Sequence, residues 1–114
     1  MIFFDRVTKV YPDTSVALQN ITLTIEPSEF VSIVGQSGAG KTTLLKMLLA
    51  EEKPSEGKVF YESSDVHRLS KSGMNDLRRK IGMIFQDFRL ISGKTVYENI
   101  AFTMEASGKT DEEI

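Results

Sequence analysis

The residues from 31 to 45, Val-Ser-Ile-Val-Gly-Gln-Ser-Gly-Ala-Gly-Lys-Thr-Thr-Leu-Leu, hold the side-chain types of a phosphate cradle. Residues 35–42 fill the G-x-x-x-x-G-K-[ST] pattern between a strand-like and a helix-like stretch. Gly35, Gly38 and Gly40 let the backbone curl tightly, and the loop N–H groups, with Ser37 and Ala39 completing it, can then reach phosphate oxygens. Lys41 reaches the β and γ phosphates as a mobile positive charge, and Thr42 offers a hydroxyl to a bridging Mg²⁺ ion. Thr43 adds a hydroxyl toward the α phosphate. A helix opening at Lys41 aims its unpaired N–H groups and positive dipole end at the same charges. The plainer reading is a glycine-rich turn that only starts a helix. Three glycines, the Lys-Thr pair and the preceding apolar strand together favour a nucleoside triphosphate with Mg²⁺.

The flanking elements must position that loop. Residues 2–11 read as a strand ended by Pro12, with weak alternation that suits the edge of a curved antiparallel sheet. After a turn at 12–14, a second strand starts at Val16, and Ile21, Leu23 and Ile25 alternate with polar residues as in a half-buried strand. Residues 30–34 are almost continuously apolar, which predicts a parallel strand covered on both faces. The helix should run over 41–50, packing Leu44, Leu45, Leu48 and Leu49 on one face, with Met47 beside them. Residues 58–61 return as a strand, and the polar stretch 62–73 reads as a surface excursion with an exposed, idle His67. A short basic helix at 74–80 precedes a buried strand at 81–85 that ends at Gln86. Thr95 and Glu98 form a capping-box pattern for a helix over 96–104. A second capped start at Thr110 is broken off by the last residue, as if the chain were cut there.

Composition narrows the partners. The 114 residues are 40% apolar and 26% charged, an ordinary globular balance, and the net charge of −2 argues against nucleic acid as the main partner. Without cysteine there is neither a disulfide framework nor a Cys-ligated metal site, which fits the cytosol. Met1 leads into Ile2-Phe3-Phe4-Asp5-Arg6 with no basic leader and no long apolar run, so neither a secretory signal nor a membrane span is expected. Contact with a membrane would come through a partner.

With Lys41-Thr42 and Gln86 both placed, the chain resembles the N-terminal part of an ABC-type ATPase domain over essentially its whole length. The resemblance implies an α/β fold: a P-loop NTPase core with an N-terminal antiparallel β subdomain, truncated before the signature helix and the Walker B strand. On that pattern residues 1–30 are mainly the β subdomain, 31–91 the core through the Q-loop, and 92–114 the start of the helical subdomain. Tyr11 matches the aromatic that stacks on adenine, and Gln86 matches the Q-loop glutamine that touches Mg²⁺ or attacking water. ATP would bind between two copies of the subunit. Residues 78–90 and 94–101 resemble the bacterial cell-division branch of the family. Its ATPases sit on the inner face of the cell membrane, pair with an FtsX-type transmembrane protein and control cell-wall hydrolysis at the septum.

In the family the region after Gln86 receives the membrane partner. Phe88, Leu90 and Ile91 are then docking residues if exposed and core residues if buried. The basic stretch Arg78, Arg79 and Lys80 faces either a partner or lipid, or is only a solvated helix. Other readings are a lipoprotein-release or export ATPase, a structural fragment with an unformed nucleotide site, or a small P-loop kinase. Tyr11 and Gln86 on either side of the loop argue against the kinase. No serine-glycine signature and no apolar run ending in Asp-Glu follows Ile100, and neither Asp87 nor His67 stands in for the missing groups. The expected activity is nucleotide binding with little or no hydrolysis.

Overall fold

A computed structural model describes residues 1–38 and 40–114. It divides into two compact units, Met1–Arg78 and Arg79–Ile114. The first is built on a four-stranded sheet of β1 (Ile2–Val10), β2 (Val16–Ile25), β3 (Glu56–Tyr61) and β4 (Ser64–Asp65), ordered β2-β1-β3-β4. Every pairing is antiparallel. β1 therefore lies inside the sheet and not at its edge.

Its weak alternation has another cause. The pairing with β2 shifts register between Phe4 and Val7, and Arg6 takes a left-handed φ of 48°. That bulge turns a two-residue step into three, so Phe4 and Val7 both face the core and Arg6 faces out. Threonine hydroxyls catch the displaced N–H groups: Arg6 donates to Thr22 Oγ1 at 3.2 Å, and Asn20 donates to Thr8 Oγ1 at 3.0 Å. In β2 the residues Ile21, Leu23 and Ile25 are half-buried between exposed polar neighbours, as their alternation predicts.

Helix α1 (Lys41–Leu48) packs on this sheet through Leu44, Met47 and Leu48, with Leu49 buried just beyond its end. Met47 is fully buried, whereas Leu45 is 40% exposed, so the apolar face is centred on Met47 and is narrower than the leucine spacing suggests. Helix α2 (Lys71–Lys80) buries Leu77, and Arg78 donates from Nε to the Leu49 carbonyl at 2.9 Å. A cation thus satisfies a carbonyl at the C-terminal end of α1, where the helix dipole is negative.

The stretch 62–73 is more ordered than its polarity implies. It carries β4 and a 3₁₀ turn at Val66–Arg68 whose Val66 is fully buried. His67 is not idle: its Nε2 lies 2.9 Å from the Glu52 carbonyl oxygen, and its Nδ1 is buried. With Lys53, Lys58, Asp65 and Arg68 it lines a cavity of ≈ 210 Å³.

The two segments expected as parallel strands form no ladder among the described residues. Phe30 and Val34 are 93% and 92% exposed, and Ile84 is 95% exposed. Continuous apolar runs become buried strands only when neighbouring strands cover both sides and satisfy the backbone, and none is available to these.

In the second unit, α3 (Val96–Ala106) begins at a complete capping box. Thr95 Oγ1 accepts from the Glu98 N–H at 3.1 Å, and Glu98 Oε2 accepts from the Thr95 N–H at 2.7 Å. The Thr95 N–H above all, then the Thr95 side chain and Lys94, hold the Glu98 carboxyl below the ordinary glutamate range. The unfolded chain therefore takes up a proton before the folded one does. The stabilisation is full above the ordinary value of about 4.3 and is lost as pH falls through the lowered value. Amide protection at the start of α3 should fall on acidification through that window, and Glu98→Gln should flatten the dependence. Protection independent of pH in the native protein would contradict the assignment.

Candidate functional site

The glycine loop leads into α1 through Gly40, which occupies the N-cap with φ 91° and ψ 6°. A Cβ there would collide with the Ala17 carbonyl oxygen and with Leu18 Cδ2 on β2, so only glycine lets the loop lie this close to the sheet. Gly38 is also left-handed, at φ 84°. Ala39 lies outside the described residues. No side chain caps the N-terminus of α1, and its first turn holds no acidic residue. Its leading N–H groups and positive dipole end are thus available to an anion.

Lys41 Nζ donates to the carbonyls of Gly35 and Gln36 at 2.5 and 2.7 Å. The loop therefore curls back over the ammonium and holds it at the helix start. Thr42 and Ser37 are both exposed. Thr43 is buried, and its Oγ1 lies 3.3 Å from the Tyr11 hydroxyl. This contact joins two residues 32 positions apart, both singled out from sequence. Tyr11 is placed by the turn after β1, where its N–H donates to the Ser15 carbonyl at 2.9 Å and its carbonyl accepts from Thr14 at 2.8 Å. Asp13 pins the same turn by accepting from the Ser15 hydroxyl and, at 3.0 Å, from the Ser15 N–H, bonds that, the hydroxyl's above all, hold its carboxyl below the usual range.

Gln86 belongs to the second unit and is exposed. Just beyond it Phe88 and Arg89 are consecutive left-handed residues, at φ 60° and 48°. A bulky residue rarely holds such a backbone, at a cost of about 1–3 kcal/mol each. The Arg89 guanidinium lies 3.8 Å from the centre of the Phe85 ring. Phe88 and Leu90 are 80% and 72% exposed. Asn99 then staples the segment: its Oδ1 accepts from the Ile91 N–H at 2.8 Å, and its Nδ2 donates to the Thr95 carbonyl at 2.9 Å.

Three residues in this geometry, Lys9, Glu52 and Asn99, are not singled out by the sequence. Lys9 and Glu52 pair at 3.3 Å beside Tyr11. The available signal was the period of a strand, which puts Lys9 on the same side as Tyr11 two residues later. For Asn99, a poor helix former four residues after a strong N-cap was the clue.

The model of the ABC transporter family matches residues 18–114. The chain belongs to that family. Its fold is that of ABC ATPases, with a TM-score of 0.88 and 36% identity to the dimeric, post-hydrolysis ATP-binding cassette MJ0796 bound to ADP and Pi, over 99% of this chain and 52% of that one. Among curated ABC relatives, it is 45% identical over 109 residues to the cell division ATP-binding protein FtsE of Bacillus subtilis (strain 168), covering 96% of this chain and 48% of that protein. It is 43% identical over 112 residues to the methionine import ATP-binding protein MetN of Rhizobium meliloti (strain 1021), covering 94% of this chain and 31% of that protein. The chain spans about half the length of the FtsE relative and less of the MetN one. Among the described residues no helix is long and apolar enough to cross a membrane.

Gly40→Ala should lower stability by about 1–3 kcal/mol, because it forces a side chain into a left-handed position against β2. A urea midpoint equal to that of the native chain would contradict the close packing of loop on sheet.

Proposed function

We propose that this chain is the ATP- and Mg²⁺-binding part of an ABC ATPase of the cell-division type. The observation that carries the nucleotide reading is the formed cradle: an uncapped α1 start, Gly40 packed on β2, and Lys41 held at the mouth of the loop. The loop N–H groups from Gly35 through Gly40 and those of Lys41, Thr42 and Thr43 would take the phosphates, with Tyr11 under the adenine. Lys41 would place its charge on the β and γ oxygens, exchanging its two carbonyl partners for them. The side-chain oxygens of Thr42 and, on the family pattern, of Gln86 would serve Mg²⁺. When bound, that ion would neutralise charge on the phosphates. ATP hydrolysis belongs to an assembly with a second copy, through positioning and charge stabilisation by Lys41 and Gln86.

The cell-division assignment draws on the likeness to FtsE. On this reading the protein is cytoplasmic, peripheral on the inner face of the membrane, and receives an FtsX-like transmembrane protein at the exposed Phe88 and Leu90 after Gln86. The partly comparable likeness to MetN favours a second reading, the ATPase subunit of an importer.

Calorimetric titration of ATP·Mg²⁺ into the chain and into Lys41→Ala tests the nucleotide reading. We expect saturable binding to the native chain and a loss of at least about tenfold in the variant, the weight of one charge-assisted contact. Equal affinity in both would overturn it.

A further inference from the structure

We infer that Lys9 is a positioning residue for the nucleobase, covering one face of the Tyr11 ring so that a purine stacks only on the other. The inference rests on the nucleotide reading above and goes beyond it by assigning a residue outside the loop to base recognition.

Lys9 stands near the end of β1, and its side chain is only 14% exposed. Its ammonium is fixed at three points. It donates to the Lys53 carbonyl at 2.8 Å, pairs with Glu52 Oε2 at 3.3 Å, and lies 5.2 Å from the centre of the Tyr11 ring. The last distance is within the range of a cation–π contact. The ring is also held at its edge, through the hydroxyl on Thr43. A ring held at one face and at its hydroxyl has one face left for a ligand.

The chemistry of that free face follows from the cation. A positive charge over one side draws π density toward itself and makes the opposite side less negative. An electron-rich purine then meets less repulsion when it stacks there. Glu52 and the Lys53 carbonyl keep the ammonium from swinging onto the nucleotide's phosphates. The competing account is a structural one, in which Lys9 only ties β1 to the connection between α1 and β3. The two accounts differ in what Lys9 should discriminate. A tie affects every ligand alike, whereas a base-positioning residue affects only ligands that carry a base.

The test is calorimetric titration of ATP·Mg²⁺ and of tripolyphosphate·Mg²⁺ into the native chain, Lys9→Met and Lys9→Arg. Lys9→Met should weaken ATP by about fivefold, the scale of a half-buried cation–π contact, and leave tripolyphosphate within about twofold. Lys9→Arg, which keeps a cation able to lie over the ring, should stay within about twofold for both. If Lys9→Met does not fold, the double variant K9M/E52Q removes both charges together and should give the same split. Equal losses for the two ligands, or no loss for ATP, would overturn the assignment. A native chain that binds tripolyphosphate as tightly as ATP would refute base recognition alone; one that binds neither would refute the nucleotide reading and Lys9 with it.

Discussion

Gly40 lies against the backbone of β2 with room for a hydrogen atom and nothing larger. That approach fixes where the glycine loop ends and where α1 begins. From it the first turn of α1 inherits its direction, Lys41 its place under the loop carbonyls, and Thr43 its buried position beside Tyr11. The sheet behind it is held in register by bulges in β1 and β2 whose freed N–H groups are taken by Thr22 and Thr8. The left-handed residues at those bulges are thus part of how the sheet curves beneath the loop. Met47, fully buried, seats the helix on that surface.

The same logic accounts for what is unpaired. The runs at 30–34 and 81–85 carry the composition of central parallel strands, yet composition cannot supply the neighbours that such strands need. The side chains at 30–34 are exposed, those at 81–85 alternate between half-buried and exposed, and Phe30, Val34 and Ile84 are almost completely exposed. The second unit is organised differently, by local hydrogen bonds. The capping box of Thr95 and Glu98 and the multiple bonds of Asn99 order the segment that follows Gln86 with little apolar burial.

Much of this was legible in the residues because it depended on short-range chemistry. The glycine loop, the start of α1 at Lys41, the alternation of β2 and the cap of α3 each follow from a few adjacent side chains. What was not legible depended on distant contacts. The interior place of β1 was hidden because a bulge mimics the irregular pattern of an edge. His67 is held by the Glu52 carbonyl, a partner that no side-chain pattern announces. Lys9 likewise owes its place to Glu52, the Lys53 carbonyl and Tyr11, which come together only when β1 and the end of α1 meet.

The central claim is that residues 35–38 and 40–43 belong to a phosphate cradle whose entry into α1 is set by the packing of Gly40 on β2. Backbone amide shifts of the isotopically labelled chain, followed by NMR during addition of ATP·Mg²⁺, test it most directly. The account predicts saturable shifts centred on Gly38, Gly40, Lys41, Thr42 and Thr43, with Tyr11 responding alongside them and residues 53–68 unmoved. Shifts confined to the basic cavity around Lys53, Lys58 and His67, or none at all, would contradict it.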